Sequence, residues 1–149
     1  MITVFRVKTN KIDMGTPSSK NRGNLEILRP TCNLDTVKDG RGGIFTWIPD
    51  EPIVEFNMLY FQPGKTRGFH YHPHFVEYSL ITEGSGVLVT REDPKDKKTE
   101  SLIHLSKGIC IRTEINVFHT IYAITEMTII SMLTKQWDLS NPPIIKVDD

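Results

Sequence analysis

A period of two runs through most of this chain. Apolar and polar residues alternate over residues 54–61, 78–82, 87–91, 102–105, 108–112, 120–124 and 127–133. Each run is short and rich in β-branched or aromatic side chains. Turn formers close them: Pro63-Gly64, Glu83-Gly84-Ser85-Gly86, Asp93-Pro94 and Lys107-Gly108. Alternation of this kind puts one face of a strand in a core and the other outside. No stretch after residue 40 holds a 3.6-residue period with caps. The pattern predicts an all-β domain, an antiparallel sandwich or barrel.

The 149 residues suit one domain. We expect residues 1–43 to form an N-terminal arm, 44–134 the barrel and 135–149 a tail. The arm is rich in Gly, Pro and Ser around one apolar run, Leu25-Glu26-Ile27-Leu28. It reads as irregular chain with a single strand, one that could lie on a neighbouring subunit. Its few apolar residues predict a homodimer, in which such an arm gains burial. Residues 1–8 alternate like a strand and lack the longer apolar core of a signal peptide. Residues 93–100 read as a solvated hairpin loop, and 144–147 as a brief strand after a loop.

Lysine plus arginine and aspartate plus glutamate both number 18, so no basic footprint for nucleic acid exists. No apolar run approaches the ~18 residues of a membrane span. The two cysteines, Cys32 and Cys110, form no CxxC pair, which fits a reduced, cytoplasmic setting. Cys110 alternates with isoleucines and reads as a buried apolar residue.

Chemistry concentrates between Gly64 and Glu77. His70 and His72 stand two apart, so one strand face can aim both imidazoles at one point. A glutamate completes a borderline metal site, and Glu77 qualifies if Pro73 turns the chain so that Glu77 opens the next strand toward the same cavity. His119 is a further candidate, although an isolated histidine in an apolar strand is more often a hydrogen-bonded core residue. His74 extends the run to His-x-His-x-His and reads first as an exposed turn residue, second as a catalytic one. His104 reads as structural.

The spacing Gly64, His70-x-His72, Glu77, Gly84 resembles the first motif of the metal-binding cupin superfamily. Gly108 and His119 resemble its second motif, with Glu114, Asn116 and Ala123 standing where the motif has proline, glycine and asparagine. The resemblance implies a jelly-roll barrel, the double-stranded β-helix of cupins. It also implies one divalent metal ion held by His70, His72, Glu77 and His119. Three histidines and a glutamate suit Fe, Mn, Ni or Zn.

Asp39-Gly40-Arg41-Gly42, Arg67-Gly68-Phe69-His70-Tyr71 and the closing Lys135-Gln136-Trp137-Asp138 are similar to segments of dTDP-4-dehydrorhamnose 3,5-epimerases. Sugar 3,4-ketoisomerases carry a segment similar to the second. That resemblance implies phosphate or substrate contacts at Arg41 and Arg67, and His70 as the base beside a ketone. Tyr71 and Tyr122 are candidates for substrate contact or proton donation, with Tyr122 and His74 joining His70 as catalytic candidates. Leu80 falls where those epimerases have a lysine.

The function expected is therefore a metal-binding isomerase or epimerase of nucleotide-activated keto sugars in saccharide biosynthesis. An Fe(II)-dependent oxygenase and a non-catalytic binding cupin are the alternatives.

Overall fold

The computed structural model describes residues 25–28, 31–32 and 44–148. Twelve strands follow one another: β1 (Leu25–Leu28), β2 (Thr31–Cys32), β3 (Phe45–Thr46), β4 (Glu55–Phe61), β5 (Thr66–Tyr71), β6 (Glu77–Glu83), β7 (Ser85–Arg91), β8 (Glu100–Ser106), β9 (Cys110–Thr113), β10 (Phe118–Ala123), β11 (Met127–Leu133) and β12 (Ile145–Lys146). Two five-stranded antiparallel sheets form, in the orders β1-β9-β6-β11-β4 and β12-β5-β10-β7-β8, with β2 and β3 pairing apart. From β4 to β12 successive strands alternate between the two sheets except at the β7–β8 hairpin, the jelly-roll arrangement that the cupin resemblance implies.

The core lies between the sheets. Phe61, Ile81, Leu88, Leu105, Ile111, Ile121 and Ile129 meet there, supplied by seven different strands. Each comes from an inward position of an alternating run, so patterning alone decides which face is buried. Gly84 allows the tight β6–β7 connection. It has φ +79°, and a Cβ there would lie 1.9 Å from the Glu126 carbonyl oxygen.

A second, smaller core sits on the outer face of the first sheet. Leu28, Val76, Tyr78 and Cys110 are covered by Trp47 and Ile53 from the segment between β3 and β4. Arg112 and Glu51 pin that segment: the guanidinium bonds Glu51, Glu114 and the Tyr78 hydroxyl, which itself donates to Glu51. Cys110 is fully buried as expected, and burial pushes its thiol pKa up to about 12.

Two local expectations are refined. The arm strand β1 pairs with β9, Ile27 opposite Ile111, and so extends the first sheet. The 93–100 connection carries a short 3₁₀ turn, Lys97–Thr99, capped by the Asp96 side chain. The rest of the arm, including residues 1–8 and Arg41, lies outside the described residues.

Candidate metal and substrate site

β5 carries the site's first histidine, and its local geometry is unusual. His70 pairs with His119, but Thr120 pairs with Gly68, so Phe69 is an extra residue in the ladder. Gly68 has φ +125° and Phe69 φ +57°. Such a bulge resets the alternation. Arg67 and His70, three apart, consequently both line the same cavity. Only glycine fits at 68, because a Cβ would lie 2.6 Å from the His119 carbonyl oxygen.

Past Tyr71 the chain leaves the strand, turns through Pro73 and His74, and re-enters as β6 with Glu77 its first residue. The Val76 amide donates to Thr134 Oγ1 at 3.0 Å, tying this turn to the end of β11. The expected reversal at Pro73 thus carries Glu77 back to the cavity. His119 arrives from β10, opposite His70. The second motif survives its replaced glycine because Asn116, at φ +61°, tolerates the left-handed turn that a glycine would otherwise supply.

Ligand-capable nitrogens of His70, His72 and His119 all lie within 4.8 Å of one another. His70 Nε2 and His72 Nε2 are 3.1 Å apart. Glu77 Oε2 stands 3.5 Å from His72 Nδ1 and 3.8 Å from His119 Nε2. The other carboxylate oxygen, Oε1, accepts from Ser131 Oγ and from Ser79 Oγ. His119 Nδ1 is 3.0 Å from the Val117 carbonyl, which can only accept. The proton therefore sits on Nδ1, leaving the Nε2 lone pair turned toward the cluster. His72 stacks on Phe75 with ring centroids 4.3 Å apart, and its buried Nδ1 has no hydrogen-bond partner.

Burial keeps the His70 and His72 rings neutral. Desolvation, then the charge of His119, lowers the His70 pKa to about 4; desolvation, then His119 and His70, lowers that of His72 to about 2. Neutral imidazoles beside a carboxylate, with a buried ring nitrogen lacking a partner, are the donor set a divalent ion requires.

Above the cluster opens a cavity of about 860 Å³. Arg67 stands on its wall with its guanidinium 5.8 Å from the Phe61 ring centre. Trp137 and Phe75 form an aromatic side, with ring centroids 6.5 Å apart. The Trp137 amide donates to Glu55 Oε2 at 2.7 Å, which fixes the tail against β4. The arginine, the aromatic wall and the histidine cluster thus share one space.

Other expected residues lie elsewhere. Tyr122 is on the face of β10 opposite His119 and Ile121 and is 43% exposed, outside the cavity. Tyr71 takes the opposite parity to His70 and His72 and does not line the cavity. His74 is exposed in the turn, and His104 is exposed on β8. Leu80, where a lysine was sought, faces the outer side of its sheet. Glu55, Asn57 and Ser131 join the site although sequence reading singled out none of them, and Trp137 joins from the closing segment, to which the resemblance gave no role. Ser131 was detectable as the one polar residue on the inward side of a run whose other inward residues are Met127, Ile129 and Leu133.

The fold and the cluster together define a cupin-type jelly roll with a histidine and glutamate centre at the mouth of its barrel. Residues 37–142 match the model of the polysaccharide biosynthesis C-terminal domain, and the chain belongs to that family. No curated protein matches the sequence. Solved structures do resemble it. A 3,4-ketoisomerase from Helicobacter canadensis has a TM-score of 0.69 at 15% identity, over 83% of this chain and 91% of that one. A 3'-monoepimerase from Streptomyces bikiniensis, solved with dTDP-quinovose, has a TM-score of 0.67 at 16% identity, over 83% and 69%. The capsular polysaccharide assembling protein CapF from Staphylococcus aureus has a TM-score of 0.57 at 21% identity, over 82% of this chain and 35% of CapF. At these identities the likeness is one of fold.

Proposed function

We propose that this protein is an isomerase or epimerase of a nucleotide-activated keto sugar, with one divalent metal ion held by His70, His72, Glu77 and His119. The observation that carries the reading is the convergence of these four side chains at the floor of a cavity that His70, His72, Glu77 and Arg67 line. The volume lies within the ~300–1,000 Å³ of small-molecule sites. The family's place in polysaccharide biosynthesis and the sugar-nucleotide enzymes among the fold relatives support the same substrate class.

Arg67 offers a bidentate, permanently charged partner for a diphosphate. Trp137 and Phe75 supply apolar surface beside it, and the sugar then points down to the histidines. An ion bound there supplies a Lewis acid for a ketone oxygen and for the negative charge that develops when the neighbouring C–H loses its proton. Ser131 and Ser79 hold one oxygen of Glu77, leaving Oε2 toward the cluster.

Among the candidates for moving that proton, His70 lines the cavity; His74 and Tyr122 do not. A ring nitrogen that donates its lone pair to a metal is not free to take a proton. His70 is therefore a base in metal-free protein and a ligand in the loaded one, where the proton must go to another acceptor.

Turnover in deuterium oxide tests the reading. Incubated with nucleotide-linked 4-keto sugars, the protein should place solvent deuterium on the carbon beside the ketone, and His70→Ala should not. Oxygen consumption without deuterium incorporation would instead indicate an oxygenase.

A further inference from the structure

Among the described residues that line the cavity, five carry titratable side chains: Glu55, Arg67, His70, His72 and Glu77. Three of them belong to the candidate metal centre, and Arg67 is permanently protonated. Glu55 is left as the one free group there that can take a proton from carbon.

Its position is set by register. Glu55 on β4, Leu133 on β11 and Glu77 on β6 form one rung of the first sheet. Side chains on one rung share a face, and all three of these line the cavity. Two strand spacings put the backbones of the two glutamates about 10 Å apart. Arg67 stands at the other end. Its guanidinium is 5.8 Å from the Phe61 ring centre, and Phe61 closes the strand that Glu55 opens, about 20 Å further along. A diphosphate held at Arg67 is thereby kept away from the carboxylate, and the sugar attached to it lies between Glu55 and the histidines.

The side chain is also fixed. Asn57 Nδ2 donates to Glu55 Oε1 at 2.8 Å, and the Trp137 amide donates to Oε2 at 2.7 Å. Each oxygen keeps a further lone pair. The same two bonds, that of Asn57 first, hold the carboxyl below its ordinary pKa, so at neutral pH it carries no proton of its own.

We propose that Glu55 is the general base of the reaction, an inference that rests on the isomerase reading. Glu55 takes the proton from the carbon beside the ketone. The C–H electron pair moves into a carbon–carbon double bond, and the ketone oxygen takes the negative charge. The carboxylic acid so formed returns that proton, or one exchanged with water, to the carbon skeleton as the carbonyl re-forms. His70 is then free to remain a ligand.

Exchange in deuterium oxide tests this, with nucleotide-linked 4-keto sugars as probes. Glu55→Gln keeps a carbonyl acceptor for the Trp137 amide, so it removes the base and leaves the tail in place. It should lower the rate of deuterium incorporation at saturating sugar at least 100-fold, within the ~10²–10⁴-fold that a general base contributes. Its metal content and its affinity for dTDP and UDP should match the parent's. Glu55→Asp retains a carboxylate and should exchange at least tenfold faster than Glu55→Gln. A Glu55→Gln protein that exchanges within 100-fold of the parent overturns the inference and leaves the isomerase reading standing. So does a loss of exchange matched by a loss of metal or diphosphate binding, or a Glu55→Asp protein no faster than Glu55→Gln. A parent that exchanges none of the sugars overturns both.

Discussion

The two residues before His70 hold backbone angles that ordinary side chains avoid, and the site depends on them. A Phe at φ +57° costs on the order of 1–3 kcal/mol, offset in part here by its edge-on contact with Phe118 at 6.3 Å. Gly68→Ala meets the backbone of His119 and Thr120 as well as an unfavourable φ. It should lower the unfolding free energy by about 1–3 kcal/mol in urea titrations. It should also weaken metal binding, because the bulge that aims His70 inward must shift. Arg67→Ala leaves the backbone alone. It should weaken nucleoside diphosphate binding by about 1.5–3 kcal/mol, the range for hydrogen bonds to a charged group, and leave metal content unchanged. Calorimetric titration of both variants separates the two effects. Equal diphosphate affinity in parent and Arg67→Ala would remove the arginine from the substrate reading.

At the level of elements, the strands were legible because alternation and turn chemistry agree along most of the chain. β4, β7, β8, β10 and β11 all fall within two residues of their apolar runs. β3 was not legible: Phe45–Thr46 is two residues long, and only its pairing with β2 makes it a strand. The bulge in β5 was equally hidden. Arg67 and His70 stand an odd number apart, and only the pairing with β10 reveals that Phe69 is the extra residue. Tyr122 failed as a candidate for the opposite reason. No bulge interrupts β10 against β7 between residues 119 and 122, so plain parity carries its side chain outward. His119 shows what pairing adds, since its partner His70 turns a lone histidine into part of a cluster. The covering segment depends on Arg112, which is held by Glu51, Glu114 and Tyr78. Arg112→Met should cost about 1–3 kcal/mol in urea unfolding, below the ~3–5 kcal/mol of a fully buried pair because Glu51 can turn to water. An unchanged midpoint would show that packing of Trp47 and Ile53 holds the segment unaided.

At the scale of the whole molecule, the histidine cluster links stability to pH. Desolvation sets the folded-state pKa of His70 at about 4 and of His72 at about 2, against 6.5 for a free imidazole. Between those limits the unfolded chain binds more protons than the folded one. Metal-free protein should therefore keep its full stability above pH 6.5 and lose it progressively below that, through both histidines down to pH 4 and through His72 alone from there toward 2. Melting curves of chelator-treated protein check the sign, and a melting temperature that rises on acidification would contradict it. Added divalent metal should lift the curve at neutral pH and lose that effect in acid, where protons compete for the same nitrogens.

The central claim is that four side chains from three parts of the barrel form one metal centre. Metal analysis of protein purified without chelator, beside His72→Ala and Glu77→Gln variants checked for folding, addresses it most directly. The parent should carry about one divalent ion per chain, and His72→Ala should lose most of it, since each ligand supplies a bond to the ion. Glu77→Gln should lose more metal than Arg67→Ala does. A parent that holds no ion and gains no thermal stability with Fe(II), Mn(II), Ni(II) or Zn(II), or variants as fully loaded as the parent, would contradict the claim.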